Sequence, residues 1–209
     1  MSVTTTPAPA RTDLPAAPAG TAAQVRRTGW FLAGGALVWA ASMAVYSPQT
    51  TDPVGIVVTD LGALPFQAAL FALVTAQLRT AATGVTRVAR GLLRVEYVLL
   101  GLATLWTVLH AALPAYRDAV WMHALDAFWP LSMLGMFVIG MKVAFAGRWR
   151  GAARVWPLVA ESWAVVTVPT MGLLGSTAGQ IVGVGHLLAG YVTLGLILGL
   201  RPHLTGTRD

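Results

Sequence analysis

The chain has 209 residues, 56% of them hydrophobic and 11% charged, with a mean hydropathy of +0.68 and a formal net charge of +6. A soluble domain carries roughly 25% charged residues, so this composition excludes an ordinary soluble fold and points to a chain that crosses a membrane several times. The absence of cysteine excludes disulfides, thiolate catalysis and Cys-ligated zinc or iron–sulfur centres.

Residues 1–25, MSVTTTPAPARTDLPAAPAGTAAQV, are rich in Pro, Ala and Thr without an apolar period, and read as a disordered tail. Apolar runs follow at about 29–46, 54–78, 92–113, 121–145, 155–174 and 181–200. Each approaches the ~20 residues that cross a ~30 Å hydrocarbon core. Backbone groups in lipid must pair within their own segment, so the runs are expected to be helices. The predicted architecture is an all-α, polytopic six-helix bundle over 26–203, with a short tail at 204–209. Arg26-Arg27, the first run and the small residues Ser42 and Ala44 also trace the outline of a secretory signal. The length of the run and the Pro-rich leader favour a retained span.

The cations set the expected orientation. Arg11, Arg26 and Arg27 precede the first run, and Arg79, Arg87, Arg90 and Arg94 join the second and third. Arg148, Arg150 and Arg154 join the fourth and fifth, and Arg201 and Arg208 follow the sixth. The alternate connections carry only Arg117, beside Asp118. Cationic loops stay on the cytoplasmic side, so both termini are expected there, in a cytoplasmic membrane. Trp30, Trp121, Trp149 and Trp156 fall near the expected interfaces, where indoles anchor. Gly195 and Gly199 form a GxxxG, which permits close helix packing, internally or in a homo-oligomer.

WMHALDAFWP, residues 121–130, opens the fourth run with His123, Asp126 and Pro130. An ionisable group in hydrocarbon costs roughly 2.5–3.5 kcal/mol on insertion scales, so each one needs a reason. At 1.5 Å per residue, Asp60, His110, His123, Asp126 and His186 fall in one outer layer, drawn from four helices. His123 and Asp126, three residues apart, share a helix face. Pro130 and Pro65 free the carbonyls of Asp126 and Leu61, and broken helices at membrane depth often line cavities. The expectation is an outward-facing His/Asp pocket. Glu96 and Glu161 fall in an inner layer with Arg94, Lys142 and Arg148, where salt bridging and snorkelling are the ordinary roles. Glu161 is the deeper acid, and both it and Glu96 stand with the outer residues as candidate ligand-binding or proton-relay groups. Glu96 and His110 lie fourteen positions apart on one helix face, a spacing that suits a proton route.

Three chemistries suit such a pocket. His110, His123, Asp126 and His186 offer imidazole and carboxylate ligands to a divalent first-row metal such as zinc. His110 and His186, at comparable depth, permit a bis-histidine haem b. A desolvated carboxylate and imidazole also suit binding or transport of a small polar ligand, a cation or protons. Beyond these stands an accessory subunit, held by lipid and a membrane partner, whose polar residues only fix helix packing. No GxxxxGK[ST] loop and no GxSxG elbow occur, which argues against a nucleotide-driven or serine-hydrolase enzyme. The basic residues are spread over separate loops without interleaved aromatics, which argues against nucleic acid.

LDAFWPLSMLGMFVIG, AGRWRGAARVWPLVAESWAVV and the Pro/Ala-rich leader carry one resemblance. Over residues 29–202 the chain resembles small six-helix integral membrane proteins of actinobacterial type, which implies the bundle and assigns no activity. The outer cluster is also similar to the three-His-plus-Asp zinc site of certain membrane hydrolases. Those enzymes carry paired histidines on the last helix, where this chain offers only His186.

Overall fold

The computed structural model describes residues 21–207, so most of the expected tail, residues 1–20, lies outside the described residues. Among the described residues there is no strand. Six helices are long and apolar enough to cross a membrane: α1 Ala22–Val45, α2 Pro53–Arg79, α3 Arg87–Ala112, α4 Val120–Ala146, α5 Gly151–Leu174 and α6 Ser176–Leu200. The chain is thus an all-helical, multi-pass bundle.

Polar caps move the helix starts outward from the apolar runs. Thr21 caps α1 by accepting from the Gln24 N–H, so the helix begins at Ala22 and takes in Arg26 and Arg27. Thr86 caps α3 through the Ala89 N–H at 3.1 Å, which brings Arg87, Arg90 and Arg94 onto the helix. Asp52 accepts from the Gly55 N–H at 2.7 Å, and Pro53 takes the first helical position, where no N–H is needed. The arginines at these ends are exposed.

Each helix packs against its neighbours in sequence, and α6 returns to α1, so the six form a closed ring. The closing seam is made of glycine. A Cβ on Gly195 would stand 2.6 Å from the Gly29 carbonyl oxygen and 2.6 Å from the Ala33 nitrogen, and one on Gly29 would overlap the Gly199 backbone. The GxxxG therefore serves packing inside one chain, where small residues let two backbones touch.

The last three spans are interrupted, α4 about 10 Å from its first residue and α5 and α6 near their middles. In α4 the helix stops at Asp126 and resumes at Phe128. Pro130 then sits in a first turn, where a missing N–H leaves no bond unmade. In α5 the break is at Ser162, whose hydroxyl donates to the Val159 carbonyl at 2.8 Å and competes with the helix ladder. In α6 a π-helical stretch runs from Leu187 to Val192. By contrast α2 runs unbroken through Pro65, against the expectation of a break there.

Two further expectations change. Trp149 is not an interface anchor: it is fully buried, and its indole N–H donates to Thr80 Oγ1 at 2.9 Å. Residues 202–205 form a 3₁₀ turn rather than a free tail, fixed by the Arg150 N–H donating to the Leu204 carbonyl at 2.8 Å. Residues 208–209 lie outside the described residues.

Candidate functional site

The ring interior holds two polar layers with an aromatic plug between them. The first layer lies at the end opposite the arginine-rich loops. Asp60 of α2 is 9% exposed, and its Oδ2 accepts from His110 Nδ1 of α3 at 2.7 Å. Trp106, one turn before His110, stacks on the imidazole at 4.7 Å. Arg117 donates from Nε to the His110 carbonyl at 3.0 Å, drawing the loop after α3 over the pair. Asp126 is exposed and within electrostatic reach of His110 and His123. Two of the expected outer residues therefore bond to each other, with a third beside them.

The other two do not join. His123 is exposed and bonds within its own turn, Nδ1 to the Ala119 carbonyl at 3.1 Å. His186 faces α5 instead of α3. Its Nε2 donates to the Val159 carbonyl at 2.7 Å and lies 3.4 Å from Ser162 Oγ. That carbonyl is freed by the break in α5, so His186 caps the break. Among the described residues no three of His, Asp or Glu converge as metal ligands. The proposed ligand set of His110, His123, Asp126 and His186 is corrected accordingly. The haem pairing fails for the same reason: His110 points to α2 and His186 to α5.

The second layer lies in the arginine half. Glu96 of α3 and Glu161 of α5 are each 1% exposed. Ser132 of α4 donates to Glu96 Oε1 at 2.6 Å, and Gln77 of α2 donates to Glu161 Oε1 at 3.0 Å. The other oxygen of each carboxyl, Oε2, has no hydrogen-bond partner. The two carboxyl groups lie within electrostatic reach of each other and of the buried Tyr191. The expected inner salt bridges are absent: Arg94, Lys142 and Arg148 are exposed, and the one ion pair among the described residues is Asp60–His110. Glu96 turns to α4 while His110 turns to α2, so the face they share on α3 is not one continuous chain of contacts.

Glycines on α4 make the room for these acids. A Cβ on Gly135 would overlap the Glu96 carboxyl, and one on Gly140 would come 2.6 Å from Glu161 Oε2. The helix surface is hollowed at both points, and each carboxyl rests in a hollow.

Between the layers, five helices contribute the plug. Trp39 of α1 stacks on Phe66 of α2 at 4.9 Å and meets Trp129 of α4 at 5.6 Å and Trp163 of α5 at 5.0 Å. Phe66 meets Tyr191 of α6 edge-on at 4.8 Å. Such edge and offset geometries are the favoured ones for aromatic pairs. Trp129 and Trp163 each follow a helix break directly, and Tyr191 lies in the π segment. The Trp163 indole donates to the Gly183 carbonyl at 2.9 Å, tying the plug to α6.

α2 connects the whole arrangement. It presents Asp60 to the first layer, Gln67 to Thr107 at 2.8 Å, and Gln77 to Glu161. From Asp60 to Gln77 is about 25 Å of helix. Reading the sequence for charges alone missed Gln67 and Gln77, and the signal was available: two amides in the otherwise apolar LPFQAALFALVTAQLR. In the sequence Gly135 and Gly140 carry no such signal, as both lie within one apolar run.

No protein-family model, no curated protein and no solved structure matches this chain.

Proposed function

We propose that the protein carries protons across the membrane, between the Asp60–His110 layer and the Glu96–Glu161 layer, with the aromatic plug as the barrier between them. The observation that carries this reading is the buried acid pair. Two carboxyl groups sit in the bundle interior, each with an oxygen that meets no side-chain donor and neither with a cation beside it. In a medium of low dielectric such a group is compensated by a proton or a bound cation. A proton needs no ion-wide lumen, and the aromatic rings fill the axis. Water threads the amides and hydroxyls along α2, with Gln67 and Thr107 as the step between the layers. Displacement of the rings at the three helix interruptions opens the path.

The arginine-rich end faces the cytoplasm in this reading, with both termini there, and the membrane is the cytoplasmic one. The Asp60–His110 layer then faces outward. His110, bonded to the Asp60 carboxyl at the rim, is the outer end of the route in this reading.

The test is flux in proteoliposomes containing a trapped pH dye, driven by a potassium diffusion potential. The wild-type chain acidifies or alkalinises the lumen according to the sign of the potential. Glu96→Gln and Glu161→Gln each lower the rate at least tenfold, and Asp60→Asn lowers it as well. A wild-type rate equal to that of empty vesicles, or an unchanged rate in the Glu96→Gln/Glu161→Gln double variant, overturns the proposal.

A further inference from the structure

A second polar feature lies outside the ring axis. Where the start of α1 meets the end of α2, a cleft of about 280 Å³ opens on the arginine-rich side. Arg27 of α1 and Arg79 of α2 both line it. Among the described residues neither guanidinium meets a carboxylate, and neither makes a side-chain hydrogen bond. Two cations held beside one cavity without an anion repel each other, and a bound anion relieves that repulsion. Thr28 adds a hydroxyl to the rim.

The floor of the cleft has the opposite character. Val25, Ala72 and Ala76 line it, and Val25 and Ala76 are buried. From Arg79 back to Ala72 the cleft follows one face of α2 for about 10 Å toward the centre of the bilayer. A charged rim at the helix end and an apolar trough running inward match an amphiphile: an anionic head at the membrane surface and a hydrocarbon tail below it. Arginine offers the planar donor fork that suits a phosphate oxygen pair, and basic pockets between helices on the cytoplasmic side suit anionic headgroups.

We infer that this cleft binds one anionic phospholipid, its phosphate between Arg27 and Arg79 and an acyl chain along the Val25–Ala72–Ala76 trough. The inference is independent of the proton-carrying role, since none of these residues lines the two polar layers. It also commits to a membrane lipid, not a free phosphate, because the trough has no use for a ligand without a tail.

The purified full chain in neutral detergent provides the test. Phosphatidylglycerol, phosphatidylcholine and inorganic phosphate are titrated separately, with native mass spectrometry for retained ligand and thermal unfolding for stabilisation. Phosphatidylglycerol is expected to be retained at one molecule per chain and to raise the Tm saturably. Arg27→Gln/Arg79→Gln weakens that binding about tenfold or more, as loss of two charge-assisted contacts implies. Arg26→Gln/Arg94→Gln removes the same charge outside the cleft and leaves the binding within about twofold of wild type, in keeping with the small effect of scattered surface charge. Equal retention of phosphatidylcholine overturns the inference, as does equal weakening by both double variants. Stabilisation by inorganic phosphate alone to the same extent overturns the assignment to a lipid.

Discussion

Gly140→Ala tests the link between the α4 surface and the second polar layer. The new Cβ would stand 2.6 Å from Glu161 Oε2 and 3.0 Å from both the Leu158 Cα and the Pro157 carbonyl oxygen. Ordinary contact begins near 3.4 Å, so the carboxyl must retreat by 0.8 Å and the α5 backbone by 0.4 Å. Overpacking of a filled interior costs about 1–3 kcal/mol, and the helix propensity gained on replacing glycine returns roughly 0.5–1 kcal/mol. The expected net loss is about 1 kcal/mol. A double-mutant cycle isolates the carboxyl's share. In a Glu161→Ala background only the milder backbone contact remains, so the second substitution costs less than it does alone. Residues in contact couple by about 0.5–3 kcal/mol, while independent sites add within about 0.3–0.5 kcal/mol. The assay is reversible unfolding in mixed micelles by titration with denaturing detergent, with helicity as the readout. An additive cycle would mean that Glu161 does not rest against Gly140, and the geometry of the acid layer would be wrong.

Gly195→Ala is expected to destabilise the bundle by about 1–3 kcal/mol through the α1–α6 seam, whereas Gly185→Ala, with open space at its Cβ, changes stability by no more than roughly 0.5–1 kcal/mol in the favourable direction; the same unfolding assay compares them. Trp149→Phe loses the bond to Thr80 and is expected to cost about 1 kcal/mol. His110→Ala leaves the mostly buried Asp60 carboxyl without its donor, and a drop of about 1–3 kcal/mol is expected. His123→Ala, at an exposed site, should stay within about 0.5 kcal/mol. Since the chain contains no cysteine, Gln49→Cys and Ala146→Cys, both at exposed sites, need no further background changes; an impermeant thiol reagent added to intact cells should label the first and spare the second.

The spans were legible because lipid imposes a length and an apolar content that no other constraint hides. Their starts were less legible. Thr21 and Thr86 cap α1 and α3 by single hydroxyl contacts, and the arginines that follow read as loop until a cap places them on a helix. Depth was readable too: Asp60 and His110 lie at one level and do meet. Rotation about the helix axis was not. His186, expected in the same outer layer, instead caps the mid-span break of α5 beside Trp163, and its imidazole turns to the freed Val159 carbonyl. The break that frees the carbonyl arises at Ser162, where a hydroxyl competes for the backbone, and no proline at that position announces it. Cations lie near Glu96 and Glu161 in sequence, which makes salt bridging the ordinary reading for that layer and leaves a proton relay open beside it. In the bundle those cations reach outward, and the acids turn inward to Ser132 and Gln77.

The glycine seam between α1 and α6 has a consequence for biosynthesis. Of the two partners, α1 leaves the ribosome before α6 with four spans between them, so while α2 to α5 are made Gly29 and Ala33 present a strip of backbone that lacks its α6 partner. The ring closes only when α6 arrives. Until then a second nascent copy, or an insertion factor with a similarly slim helix, has access to the same strip.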